Sequence, residues 1–93
     1  MRKFVIERDL PGVGTFERAQ LAEASKTSNS ALAKLSPDIQ WVHSYVAGDK
    51  IYCIYLAADE ELIREHSRLT GIPANSITEV ASIIDPTVAF EAV

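Results

Sequence analysis

A single cysteine, Cys53, rules out a disulfide within the chain and a closed thiolate zinc site, and it agrees with a reducing compartment. No apolar run approaches the ~18 residues that a membrane helix needs, and only Phe4, Val5 and Ile6 separate Met1-Arg2-Lys3 from Glu7. A cytoplasmic protein without a membrane span or signal peptide is therefore expected. Basic residues are few and scattered: nine Lys and Arg face thirteen Asp and Glu, for a net charge of -4. The field that draws proteins to phosphate backbones is missing, which argues against a nucleic-acid partner. The catalytic motifs are also missing. Gly12-Val13-Gly14 has no third glycine and no P-loop lysine, so it reads as relief of a turn. No GxSxG elbow surrounds Ser44, and there is no CxxC pair.

What is present is enough for a packed core. Hydrophobic residues make up 47% and charged residues 24% of 93 positions, which fits one globular domain over residues 1–93. Lys3 to Arg8 is β-branched and aromatic and runs into the breaker cluster Asp9-Leu10-Pro11-Gly12, so it reads as a strand and a loop. From Thr15 to Leu35 the less polar positions Leu21, Ala24, Ser28, Ala31, Leu32 and Leu35 recur every three or four residues, which predicts an amphipathic helix capped by Thr15. Its middle, Ser25 to Ser30, is rich in poor helix formers.

Ile39 to Val46 and Ile51 to Leu56 flank Ala47-Gly48-Asp49-Lys50 as a hairpin. With Gly48 and Asp49 as the central turn residues, Tyr45 stands opposite Tyr52, Ser44 opposite Cys53 and His43 opposite Ile54. Strict alternation then places Trp41, His43, Tyr45, Tyr52, Ile54 and Leu56 on one face, with Val42, Ser44, Val46, Ile51, Cys53 and Tyr55 on the other. Both faces are substantially apolar. Helices are expected to cover one of them and a second subunit the other.

Asp59 caps a second helix over Glu60 to Thr70, and Gly71 with Pro73 stops it. Ser76 to Ile84 reads as the last strand, halted at Asp85-Pro86. The order β-α-β-β-α-β predicts an α+β, ferredoxin-like fold: a four-stranded antiparallel sheet with two helices on one face, pairing into a dimeric α+β barrel.

The residues able to carry chemistry are few. His66 falls in the apolar stripe Leu62, Ile63, His66, Leu69, so its imidazole faces the sheet side that carries Ser44, Cys53 and Tyr55. It is either a core histidine satisfied by hydrogen bonds or, with Cys53, a metal ligand or acid-base group. His43 lies on the opposite face among Trp41, Tyr45 and Tyr52. Glu7 and Glu79, in the middle of the flanking strands, are expected near that surface, and imidazole with carboxylates suits a divalent first-row metal. The metal-ligand candidates are therefore His43, His66, Cys53, Glu7 and Glu79. Trp41, Tyr45 and Tyr52 are the candidate walls of a cofactor or ligand pocket, with His43 as its acid or base.

Lys3-Phe-Val-Ile-Glu-Arg8 with Pro11-Gly12, the hairpin Ile39-Gln-Trp-Val-His-Ser-Tyr-Val46 with Asp49-Lys-Ile-Tyr-Cys-Ile-Tyr55, and Arg64-Glu-His66 with Gly71-Ile-Pro-Ala74 together resemble a small bacterial family. This is the nickel-binding, nickel-responsive family described from streptomycetes, and the likeness spans residues 3 to 86. The resemblance implies a dimeric ferredoxin-like protein that binds nickel and implies no enzymatic activity. The leading expectation is a cytoplasmic homodimer that binds nickel in storage, buffering or response. Its rivals are a dimeric α+β-barrel enzyme or ligand-binding protein with an aromatic pocket, and an interaction dimer with no ligand.

Overall fold

The computed structural model describes residues 1–91. Strand β1 (Arg2–Asp9) alternates as its composition demands, burying Phe4, Ile6 and Arg8 on one side and leaving Lys3, Val5 and Glu7 half-buried on the other. After a short 3-10 turn at Val13–Thr15 come helix α1 (Arg18–Leu35), the hairpin strands β2 (Ile39–Ala47) and β3 (Lys50–Ala57), helix α2 (Glu60–Thr70) and strand β4 (Ser76–Glu79). The strands form one antiparallel sheet in the order β2-β3-β1-β4. This is the expected ferredoxin-like α+β arrangement. Phe4, Ile6, Ile39, Cys53, Tyr55, Ala57 and Ile63 make the core between the sheet and the helices. No helix among the described residues is long and apolar enough to cross a membrane.

Three local details depart from the sequence reading. Helix α1 starts later than Thr15. The Thr15 hydroxyl is engaged by the Gly12 carbonyl at 2.7 Å, Phe16 is extended, and the Gln20 side chain accepts from the Glu17 backbone N–H at 2.9 Å, so Glu17 is the N-cap. Strand β4 stops at Glu79 rather than Ile84, because its partner β1 begins at Arg2. After Val80 N–H donates to Lys3 O at 2.8 Å only Arg2 of β1 remains, so the ladder cannot extend to Ile83 and Ile84, which stay exposed. The chain then makes a second 3-10 turn at Pro86–Phe90, which Asp85 caps by accepting from Thr87 N–H at 2.8 Å.

The third departure is the most consequential. The hairpin register is as expected from His43↔Ile54 to Ala47↔Lys50, but it shifts between Trp41 and His43, so that Trp41 pairs with Tyr55. Val42 is the extra residue of a β-bulge. A bulge inserts one residue into a period of two and so sends everything beyond it to the opposite face. Trp41 therefore lies on the helix side with Tyr55, not on the open side with His43.

The second helix follows its sequence signals. Asp59 Oδ1 accepts from Leu62 N–H at 3.1 Å, Glu60 and Glu61 fill the first turn, and Gly71 closes the helix in the left-handed conformation at φ 74°. Its apolar stripe puts Ile63 and His66 completely inside.

Candidate functional site

The space between α1, α2 and the sheet holds a group of buried polar side chains. Strand β1 supplies Arg8, α1 supplies Ser28, β3 supplies Tyr55 and α2 supplies His66, and each is more than nine-tenths buried. The His66 ring joins the elements: Nε2 lies 3.0 Å from Ser28 Oγ and 3.5 Å from Tyr55 Oη, while Nδ1 lies 3.5 Å from Arg8 Nη2. The Tyr55 and His66 rings meet edge to face at 5.2 Å.

A guanidinium can only donate. Nδ1 facing Arg8 must therefore be the accepting nitrogen, which leaves the proton on Nε2 to be donated to Ser28 Oγ. Burial and the adjacent Arg8 charge push the His66 pKa down from 6.5 to about 4, so the ring is neutral at physiological pH. Burial also raises the Tyr55 pKa, which keeps the phenol protonated.

Arg8 carries the charge of the group. Its Nη1 donates to Ser67 Oγ at 2.9 Å and to the carbonyls of Ile72 and Pro73 at 3.2 and 3.3 Å. All three acceptors are neutral, and Arg8 has no carboxylate partner among the described residues.

These groups border a cavity of about 420 Å³ beneath α1. Trp41, Ser44 and Cys53 line it with His66 and Tyr55, and the indole N–H of Trp41 donates to Ser44 Oγ at 2.9 Å. Two of the poor helix formers in the middle of α1, Ser25 and Ser28, have their explanation here. Ser25 and Ser28, together with Ala22 and Ala24, face the cavity, and their small side chains leave its volume open. The Ser25 hydroxyl meanwhile donates to Leu21 O at 2.9 Å, within the helix.

The expected convergence of imidazole, thiol and hydroxyls is thus present on this face. Two members were missed in the sequence. Arg8 was legible as the third inward position after Phe4 and Ile6, and Arg18, at the start of α1, also lines the cavity.

The other expected cluster does not assemble. His43 is exposed on the open face, its ring edge to face with Tyr45 at 5.0 Å. Tyr45 pairs with Tyr52 and Tyr52 with Glu7, so these three share the face with His43. Trp41 does not, and the aromatic pocket of Trp41, His43, Tyr45 and Tyr52 is therefore not formed. Glu7 is engaged by Lys50 Nζ at 3.4 Å. Glu79 pairs with Phe4 and so belongs to the helix side, where Arg2 holds it at 2.7 Å. Among the described residues no three His, Cys, Asp or Glu side chains are grouped so as to hold a metal ion.

The sequence pattern of the family described as nickel responsive protein SCO4226-like matches residues 4–80. The chain belongs to the SCO4226-like family. A solved structure, that of SCO4226 from Streptomyces coelicolor A3(2), has the same fold with a TM-score of 0.73 at 18% identity, covering 88% of this chain and 99% of that one. No curated protein sequence matches the chain. The SCO4226-like match begins at Phe4 and ends at Val80, so it takes in the whole sheet core, both helices and the bulge.

Proposed function

We propose that this SCO4226-like protein is a homodimeric nickel-binding protein, acting in metal storage, buffering or response, with His43 as the imidazole that meets the metal. The observation that carries the reading is the position of His43: an exposed imidazole in an apolar sheet face, flanked by Val42 and Tyr45 at 47% and 59% exposure. Exposed side chains of that size, on a face that no helix covers, are suited to burial against a second copy. The family description supplies the metal, and nickel accepts imidazole and carboxylate ligands.

One chain brings too few ligands together. Glu7 is two strands away from His43 on the same face, about 10 Å across the sheet and about 7 Å along it. A second copy packed on this face brings another imidazole and another carboxylate to the same surface. His66 is less suited to a divalent cation, because Arg8 already places a positive charge at its Nδ1.

Light scattering and calorimetric nickel titration on protein free of any histidine tag test the reading. The expected results are a mass twice 10.2 kDa, saturable nickel binding, and loss of that binding in a folded, dimeric His43→Ala variant. A monomer at micromolar concentration, or unchanged nickel affinity in His43→Ala, overturns it.

A further inference from the structure

The open face engages none of the buried polar groups beneath α1, and these have a chemistry of their own. The chain is acidic overall, yet two arginines, Arg8 and Arg18, line the cavity and, among the described residues, no Asp or Glu does. Arg8 is 2% exposed and its partners are all neutral. A buried charge without a counter-charge is costly. Its Nη1 is fully engaged, whereas Nη2 makes only the long 3.5 Å approach to His66 Nδ1, so that nitrogen retains donor capacity. The neighbouring hydroxyls of Ser28 and Tyr55 are 3.5 Å apart and can turn toward a ligand oxygen.

Apart from Ser25 and Ser44, whose hydroxyls are engaged by Leu21 O and the Trp41 N–H, the remaining walls are largely apolar, with Leu21, Ile51, Ile72 and the Trp41 ring among them. The volume of about 420 Å³ lies in the range of small-molecule sites and has room for a ring or a short chain beside a carboxylate. We infer that this cavity binds a small organic acid, its carboxylate received by Arg8 Nη2 and its apolar body lying against Trp41, Leu21 and Ile51. Arg18, exposed at the start of α1, adds a second positive charge that draws the anion in. The inference is independent of nickel binding, because it uses the helix side of the sheet and no residue of the open face.

Trp41 is the only tryptophan, so its fluorescence reports on the cavity directly. The full chain is titrated with hexanoate, benzoate and indole-3-acetate, and in parallel with hexanamide, benzamide and benzylamine, while amide NMR shifts are followed. At least one acid is expected to bind saturably, shifting Ser28, Ser44, Cys53 and Tyr55, with the matching amide about tenfold or more weaker, since a charge-assisted bond is lost.

Arg8→Met is expected to lose the same preference for acid over amide. Should Arg8→Met fail to fold, Ala24→Leu fills the cavity from the half-buried face of α1 and is expected to abolish binding in a folded chain. His43→Ala is expected to bind the acid as wild type does, which separates this site from the nickel reading. No saturable binding of any acid, equal binding of acid and amide, or full binding in Ala24→Leu overturns the inference.

Discussion

His66 Nε2 stands 3.0 Å from Ser28 Oγ, the hydrogen bond that joins the two helices across the buried polar group. Both residues lie on the inward stripes of their helices, and both are closed to solvent. Removing the imidazole breaks this link between the helices, while Ser28 Oγ still has Tyr55 Oη at 3.5 Å.

His66→Leu is accordingly expected to lower unfolding free energy at pH 7 by about 1–3 kcal/mol, because Arg8 Nη2 loses its acceptor while Ser28 and Tyr55 keep each other. Combined with Ser28→Ala in a double-mutant cycle, it should show a coupling of about 1 kcal/mol in urea unfolding. Additive effects would mean that the hydrogen bond contributes nothing to stability.

The same residue sets a pH dependence. His66 has a folded pKa of about 4 against 6.5 when unfolded. Above pH 6.5 it is neutral in both states and carries no penalty. As pH falls from 6.5 to 4 the unfolded chain takes up the proton and the folded chain does not, so stability is lost across that window and levels off below it. The loss is on the order of 3 kcal/mol. The measurement is the difference between wild type and His66→Leu across this range, which removes the contribution of the carboxylates. A constant difference between pH 7 and 4 contradicts the assignment of a buried neutral ring.

Gly14 is held against the hairpin turn, its N–H donating to Gly48 O at 2.8 Å, and a Cβ there would stand 2.7 Å from the same oxygen. Gly14→Ala is expected to push the Val13–Thr15 turn off the hairpin and to cost about 1–3 kcal/mol, as overpacking does. Gly48→Ala meets no atom within 4 Å, and its cost comes only from the φ of 61°, about 1 kcal/mol. Chemical denaturation midpoints of the two variants check the order, and a Gly14→Ala chain as stable as wild type refutes the steric argument.

Much of the fold is written locally. The breaker cluster at Asp9–Gly12, the Gly48–Asp49 turn, the Asp59 cap and the Gly71 stop each act over a few residues through backbone geometry and nearby hydrogen bonds. Reading them in order is enough to place the elements, to set the hairpin register next to its turn and to put His66 on the inward stripe of α2. The inward side of β1 follows from alternation too, whereas the role of Arg8 as the charge of the site does not.

Other features depended on partners far along the chain. No residue near Val42 announces the bulge, and this one extra residue carries Trp41 from the His43 face into the cavity. How far β4 can run is limited by where β1 begins. The grouping of Arg8, Ser28, Tyr55 and His66 comes from four separate elements, and its distances exist only once the sheet and both helices have packed. Sequence patterns record which way a side chain faces along its own element, but what it meets there is decided by the tertiary structure, because hydrogen bonds, burial and charge depend on distances between elements that periodicity does not contain.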